Sequence, residues 1–334
     1  MRMRIVVVGA TGNVGTSLID VLVKEPRVDD VIAVARRAPE RALWPGDVEF
    51  VAADVASDPL EPLFAGADVV VHLAWLFQPT HDPAETWRNN AVGSGRVFDA
   101  AAAAGAGALV YASSVGAYSP APGRTVDESW PTHSTPTAAY GREKAYAERI
   151  LDAVEARRPE MRVVRLRPSF IFKRTSGPEQ RRLFAGPLLP RSLLHPGRVP
   201  VLPLPAGLRF QAVHSADAAR AFAAAALGDV RGAFNIASGP VIDRAALASI
   251  VGARRVELPW ALVRPALAAA WNLRLVPADP ALMDLALSLP LLDTTRAETE
   301  LGWWPEVPGP EAVRDAIEGM AEGVGEGTPP LAED

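Results

Sequence analysis

Tyr140 and Lys144 stand four residues apart in the stretch Ala138-Ala139-Tyr140-Gly141-Arg142-Glu143-Lys144. On a helix this spacing puts both side chains on one face, a turn apart. A phenol with its free pKa of about 10 is a poor proton carrier at neutral pH. A fixed ammonium beside it favours the phenolate and is expected to bring that value down. Lysine is scarce in this chain: Lys24, Lys144 and Lys173 are the only three among 34 basic residues. A lysine four after a tyrosine therefore stands out, and the pair predicts proton transfer to or from a substrate oxygen.

A second group needs positioning beside the first. Residues 4–15 read Arg-Ile-Val-Val-Val-Gly-Ala-Thr-Gly-Asn-Val-Gly. The apolar, β-branched run 5–8 predicts a strand buried on both faces of a parallel sheet. Gly9, Gly12 and Gly15 follow at once, and 16–24 has helical periodicity. Gly9 allows a tight turn, Gly12 lets the backbone approach a pyrophosphate, and Gly15 lets helix pack on strand. The amides around Thr11, Asn13 and Val14 then lie at a helix N-terminus that favours a phosphate. The spacing is G-x-x-G-x-x-G rather than G-x-G-x-x-G. Further strands are predicted at 30–35, 48–51, 68–73, 108–112 and 162–167, and helices at 13–24, 84–104 and 138–156. This alternation predicts an α/β fold, a doubly wound parallel sheet of the Rossmann type.

With these residues in view, the chain resembles an extended short-chain dehydrogenase/reductase, the group that includes the NAD-dependent epimerase/dehydratase proteins. Val110-Tyr111-Ala112-Ser113-Ser114 with Tyr118 resembles the family's fifth strand and serine motif, and Tyr140 and Lys144 match its Tyr-x-x-x-Lys motif. Arg167-Pro168-Ser169-Phe170 resembles the strand end over the nicotinamide, and Val213-His214-Ser215-Ala216-Asp217 the later Val-His-x-x-Asp segment. Asp293, Leu301-Gly302-Trp303 and Pro305 resemble the C-terminal signature. The match runs over about 1–240, returns at 290–305, and is poor over 173–210 and 253–290. The resemblance implies Ser114, Tyr140 and Lys144 as catalytic residues. It implies Asp54 and Val55 at the adenine, Leu73, Ala74 and Trp75 beside the cofactor, and Pro168 and Phe170 at the nicotinamide. Asn90 resembles an asparagine that braces adjacent strands. The expected organisation is a dinucleotide-binding domain over 1–170, rejoined by about 211–237. A smaller, mostly helical substrate lobe covers 171–210 and 238–321, and a disordered Gly-, Glu- and Pro-rich tail covers 322–334.

NAD-type members carry an acidic residue at the end of the second strand for the ribose hydroxyls. Here Ala35 stands at that place and Arg36 and Arg37 follow, two guanidiniums suited to a 2′-phosphate. NADP is therefore expected in preference to NAD. Tyr140 is the expected general acid/base and Ser114 the group that orients the substrate oxygen. Dehydratases have Thr-Asp-Glu at the serine position; Ser114-Val115-Gly116 lacks that acid and base. Sugar-nucleotide members commonly carry Arg four residues before the His of the Val-His segment, where Phe210 stands. They also often carry Asn-x-Tyr-Gly-Pro where this chain has 170–174, Phe-Ile-Phe-Lys-Arg. The expected activity is hydride transfer to or from a carbonyl or secondary alcohol of a fairly apolar small molecule. A sugar-nucleotide 4-epimerase is the first alternative and a non-catalytic NADP-binding redox sensor the second.

Bulk properties narrow the field. With 334 residues, 49% hydrophobic, the chain can bury one large core and a smaller lobe. A net charge of −5 gives no footprint for nucleic acid, and the absence of Cys excludes disulfides, thiol catalysis and zinc–cysteine sites. His72, His81, His133, His195 and His214 show no metal-ligand spacing, so no metal is expected. Residues 259–292 are apolar but interrupted by charges and prolines, unsuited to a membrane span; an apolar pocket or the contact of a homodimer is the reading there. The immediate start of a strand at Arg4 leaves no room for a signal peptide, and a cytoplasmic protein is expected. The loop 75–79, Trp-Leu-Phe-Gln-Pro, reads equally as an apolar lid or a core-facing patch. Lys173, Arg174, Arg181, Arg182, Arg191 and Arg198 read as an anion site or, more simply, a solvated face.

Overall fold

The computed structural model describes residues 3–39, 43–44, 48–78, 80–186 and 190–333. Seven parallel strands form the central sheet: β1 Met3–Val8, β2 Val28–Ala35, β3 Val48–Ala52, β4 Val69–His72, β5 Ala108–Ala112, β6 Arg162–Pro168 and β7 Gly232–Ile236. Their order is β7-β6-β5-β4-β1-β2-β3, so the sheet grows outward in both directions from β1 and β4. A ligand crevice is expected at that switch point, beyond the carboxyl ends of the strands.

The sheet is buried on both faces, which is why its strands read as unbroken apolar runs rather than alternating ones. Ile5 and Val7 face the helices Asn13–Leu22 and Ser215–Leu227 through Leu18, Ile19 and Phe222. Val6 and Val8 face Gly93–Ala103 and Ala139–Arg157 through Val97, Phe98 and Leu151. The six strands read from sequence lie where expected, within two residues at each end.

The predicted helix 84–104 is not continuous. It comprises Pro83–Trp87, a π-helical turn Arg88–Val92, and Gly93–Ala103. The π turn carries Asn90 inward, where its amide brackets the backbone of Leu76 and reaches Glu143.

Beyond the sheet edge, Phe170–Phe172, Arg209–His214 and Ser238–Asp243 form a three-stranded sheet, and Val201–Pro205 pairs with Arg254–Leu258. Helices Trp260–Asn272, Pro280–Ser288 and Gly309–Glu322 complete this side. The motif residue Asp217 holds the C-terminal signature: its backbone O accepts from Trp303 Nε1 at 2.8 Å and its carboxylate from the Val307 amide at 2.9 Å.

The tail corrects an expectation. Residues 323–333 are seated rather than disordered. Leu331 and Thr328 are buried, and Glu326 accepts from Lys173 Nζ at 2.7 Å and from Thr175 Oγ1 at 2.6 Å. One buried leucine and a carboxylate with a distant cationic partner outweigh a composition that otherwise suits solvent.

Candidate active site

The turn after β1 is built by close approach. Gly9 has φ +93°, and a Cβ there would lie 2.5 Å from the Ala74 amide nitrogen. A Cβ on Gly15 would lie 2.2 Å from the Gly9 carbonyl oxygen. Gly12 differs: nothing but the Gly9 carbonyl, at 3.5 Å, stands near its Cβ direction. The helix that begins at Asn13 has no side-chain cap, so its first-turn amides are left for a ligand. This open cradle fits the pyrophosphate of a dinucleotide. Asn13 donates through Nδ2 to the Ile171 carbonyl at 3.1 Å, which joins the cradle to the strand carrying Phe170. Thr11 is buried in the turn.

Arg36 and Arg37 are exposed just past the end of β2. Asp54 uses its carboxylate to cap the Ala56 amide at 2.8 Å, and Val55 is buried beneath Gly93. Leu73 and Ala74 continue β4 against the Gly9 turn. Pro168, at the end of β6, is buried, and Phe170 follows it at the sheet edge.

Ser114 leaves β5 in extended conformation and its Oγ accepts from the Gly116 amide at 3.0 Å, which keeps its own proton free to donate. Gly116 backs Tyr140 so closely that a Cβ would meet the ring at 2.9 Å. Tyr140 and Lys144 occupy the first turns of Ala139–Arg157 and share its inward face. The structure thus gathers Ser114, Tyr140 and Lys144 at the carboxyl end of β5, across β4 from the Gly9–Gly15 turn.

The electrostatics differ from expectation. Burial pushes the Tyr140 phenol up to about 12, opposed only by a hydrogen bond with Ser114. Lys144 does not pull it down, since the same burial disfavours its own charged form. Nζ donates to the Ala112 carbonyl at 2.7 Å and sits 3.5 Å from the centre of the Trp75 ring. Burial also draws Lys144 well below its ordinary range, against the opposing pull of Glu143 and Glu148.

Under this group lies a buried ionic network. Arg167 donates from Nε and Nη2 to both oxygens of Glu148, at 2.8 and 2.6 Å, and from Nη1 to Tyr118 Oη at 2.9 Å. Ser113 Oγ donates to Glu148 at 2.6 Å, and Tyr118 Oη to Asn235 at 2.7 Å. The network fixes the helix of Tyr140 to β5, β6 and β7.

Sequence reasoning missed three participants. Glu143 is buried on the Tyr140 face, accepting from Thr86 Oγ1 at 2.8 Å and Asn90 Nδ2 at 2.7 Å; burial raises its pKa. A carboxylate between Tyr140 and Lys144 on their own helical stripe was the available signal. Phe184, edge-on to Phe77, and Asp279, at the cleft in front of Tyr140, come from the region of poor resemblance, with no local sign of their place. Of the basic residues in 173–210, Lys173 is buried against Thr16 and Glu326, while Arg174 pairs with Glu318 and Glu322. Arg182 donates to carbonyls of the tail, so these three serve as ties. In the loop after β4, Trp75 and Phe77 both turn onto Tyr140; Pro79 lies outside the described residues. Among the described residues, no group of His, Asp or Glu is arranged to hold a metal, and no helix is long and apolar enough to cross a membrane.

Residues 5–237 match the NAD dependent epimerase/dehydratase family. The chain belongs to that family. Its members are nicotinamide-dependent enzymes, consistent with the glycine cradle and the Ser114–Tyr140–Lys144 group. A ketoreductase of Stigmatella aurantiaca, which acts on 4-hydroxy-2-methyl-3-oxo-4-farnesyl-3,4-dihydroquinoline-1-oxide, is 30% identical over 173 residues, 51% of each chain. The chain thus aligns with about half the length of that curated relative. Among solved structures, gox2253 superposes with a TM-score of 0.74 at 21% identity, over 97% of this chain and 100% of its own. The Thermus thermophilus UDP-glucose 4-epimerase in complex with NAD gives 0.69 at 22% identity, over 96% and 99%. MoeE5 in complex with UDP-glucose and NAD gives 0.68 at 21%, over 96% and 99%. At such identities these structures establish the shared fold.

Proposed function

We propose that this chain is an NADP-preferring oxidoreductase that reduces a carbonyl group on a fairly apolar small molecule to the secondary alcohol. The observation that carries the reading is the group at the end of β5: Ser114, whose Oγ accepts from the Gly116 amide and keeps its own proton to donate, beside Tyr140, packed on Gly116 and kept protonated by burial. A protonated phenol is suited to give a proton to a carbonyl oxygen as that oxygen gains charge. Ser114 orients the oxygen by hydrogen bonding. Lys144 stands a turn behind Tyr140, its Nζ held between the Ala112 carbonyl and the Trp75 ring.

Gly9, Thr11, Gly12, Asn13, Val14 and Gly15 would hold the dinucleotide's pyrophosphate. Asp54 and Val55 would hold its adenine, Arg36 and Arg37 its 2′-phosphate, and Leu73, Ala74, Trp75, Pro168 and Phe170 would enclose its nicotinamide end. When bound, that group supplies the hydride. The substrate side is 171–210 and 238–321. The ketoreductase relative supports carbonyl reduction. Phe210, where sugar-nucleotide members commonly place an arginine, packs edge-on against Phe170 at 5.2 Å; an aromatic pair there offers nothing to a diphosphate and disfavours the epimerase alternative.

The test is Tyr140→Phe. Turnover, followed as the loss of NADPH absorbance with a ketone, is expected to fall by about 100- to 10,000-fold, while the melting temperature and the Kd for NADPH stay near wild type. Near wild-type turnover would overturn the assignment.

A further inference from the structure

The cleft in front of Tyr140 has an unusual wall. Phe77 lies nearly parallel on the Tyr140 ring, centroids 4.8 Å apart at 30°. Trp75 meets the same ring edge-on at 5.7 Å, and Phe184 meets Phe77 edge-on at 5.4 Å. Gly116 backs Tyr140 and Phe77 covers it, so a molecule that brings an oxygen to this phenol must slide against Phe77 or take its place. Either way the surface it meets is aromatic. Aromatic faces prefer offset-stacked or edge-on aromatic partners over a shapeless apolar one.

Charge gives a second, independent constraint. The cleft is lined by apolar side chains, two threonines and two carboxylic acids, Glu143 and Asp279; no Lys or Arg lines it among the described residues. Arg274 opens onto a separate hollow, with Gln78 and His81. Glu143 is buried with two neutral hydrogen-bonding partners, Thr86 and Asn90, and no guanidinium or ammonium bonded to it. A carboxylate or phosphate brought into such a cleft would lose its hydration against apolar walls and two carboxyl groups, with the nearest ammonium, Lys144, behind Trp75 and bonded to the Ala112 carbonyl.

We propose that the substrate carries its carbonyl on or beside a flat aromatic ring that seats against Trp75 and Phe77, the latter backed by Phe184, and that Glu143 and Asp279 exclude anionic substrates. The proposal rests on the carbonyl-reducing reading above and narrows its substrate. Phe77 is the residue that sets the aromatic preference; Glu143 and Asp279 set the charge preference. The loop that carries Phe77 is pinned across the cleft, with Gln78 Nε2 donating to the Leu183 and Pro277 carbonyls at 3.1 Å each, so the wall is a formed surface rather than a loose flap.

The experiment compares acetylnaphthalene, acetylnaphthoate and cyclohexyl methyl ketone, each by NADPH-coupled turnover and by calorimetric binding in the presence of NADP. Wild type is expected to prefer acetylnaphthalene over the other two by at least about tenfold in kcat/KM. Phe77→Ala is expected to raise KM for acetylnaphthalene by about tenfold, the size of one aromatic contact, and so to lower the ratio of kcat/KM for acetylnaphthalene over cyclohexyl methyl ketone by a similar factor. The double variant Glu143→Gln, Asp279→Asn is expected to narrow the gap between acetylnaphthalene and acetylnaphthoate. Equal use of all three ketones by wild type, or a Phe77→Ala enzyme that keeps the aryl preference, overturns the proposal. Calorimetric binding of acetylnaphthalene that weakens in Phe77→Ala, with no turnover of any ketone, would leave the aromatic seat standing and remove the carbonyl-reducing reading instead.

Discussion

Two loops leave the same edge of the sheet from neighbouring strands, and they are made of different material. The turn after β1 is made of backbone: three glycines, whose missing side chains let Gly9 meet Ala74 and Gly15 meet Gly9. The loop after β4 is made of side chains. Trp75 and Phe77 cover Tyr140, and Gln78 and Thr80 are pinned to residues about 100 and 200 positions away in sequence. The two loops touch, since the Cβ position of Gly9 falls on Ala74. A backbone cradle recognises what every dinucleotide shares, a pyrophosphate. A side-chain wall recognises what one substrate has and others lack. On the proposed function, the chain would keep the general and the particular halves of its chemistry in adjacent loops.

The comparison breaks most sharply at the glycines. Gly15→Ala forces a Cβ to 2.2 Å from one carbonyl oxygen and 2.6 Å from another, so the turn must deform. A destabilisation of about 3 kcal/mol and loss of measurable dinucleotide binding are expected. Gly12→Ala has room within the protein, so its melting temperature should hold while dinucleotide affinity falls, because the methyl group projects into the ligand's space. Thermal melts paired with calorimetric titrations separate the two. If both variants melt alike, the distinction between a packing glycine and an approach glycine is lost. A smaller effect is expected at the far end of the same cradle. Replacing Arg36 and Arg37 together by Ala should weaken NADPH binding by roughly 1–3 kcal/mol and leave NADH nearly untouched. A wild-type protein that prefers NADH would already refute the 2′-phosphate role. The smallest effect belongs to the pinned loop. Gln78→Ala removes two neutral hydrogen bonds and should cost about 1 kcal/mol in urea unfolding without moving the Kd for NADPH. A shift in that Kd would mean that the two loops are coupled more tightly than their contact at Gly9 and Ala74 implies.

Legibility in the sequence followed the same division. The strands, the glycine turn and the Tyr140–Lys144 pair were readable because each is a local pattern: apolar runs, a fixed spacing, one helical face. The aromatic wall was not, because it draws Trp75, Phe77, Tyr140 and Phe184 from three separate segments. The seat of the tail was hidden for a similar reason. Glycine, proline and glutamate look solvated until Glu326 meets Lys173, 153 positions earlier. The direction of the Tyr140 shift was misread because a neighbouring ammonium was weighed and burial was not. The carbonyl of Ala112 and the ring of Trp75, which hold that ammonium, become visible only when β4 and β5 lie side by side.

The π turn at Arg88–Val92 carries a consequence for how this chain tolerates change in length. One extra residue is wound into a helix that otherwise runs from Pro83 to Ala103, and the π turn absorbs it locally. Thr86 lies before it and Asn90 within it, and both meet the same carboxyl group. A one-residue deletion in 88–92 would remove the bulge and leave a regular α-helix with Thr86 still in phase with the turns downstream, but it would lose the widened turn that carries Asn90 to Leu76 and Glu143. A substitution at the exposed Val92 changes only a surface side chain. The segment therefore behaves like the tooth of a ratchet, indifferent to much of its spelling and intolerant of a change in its count.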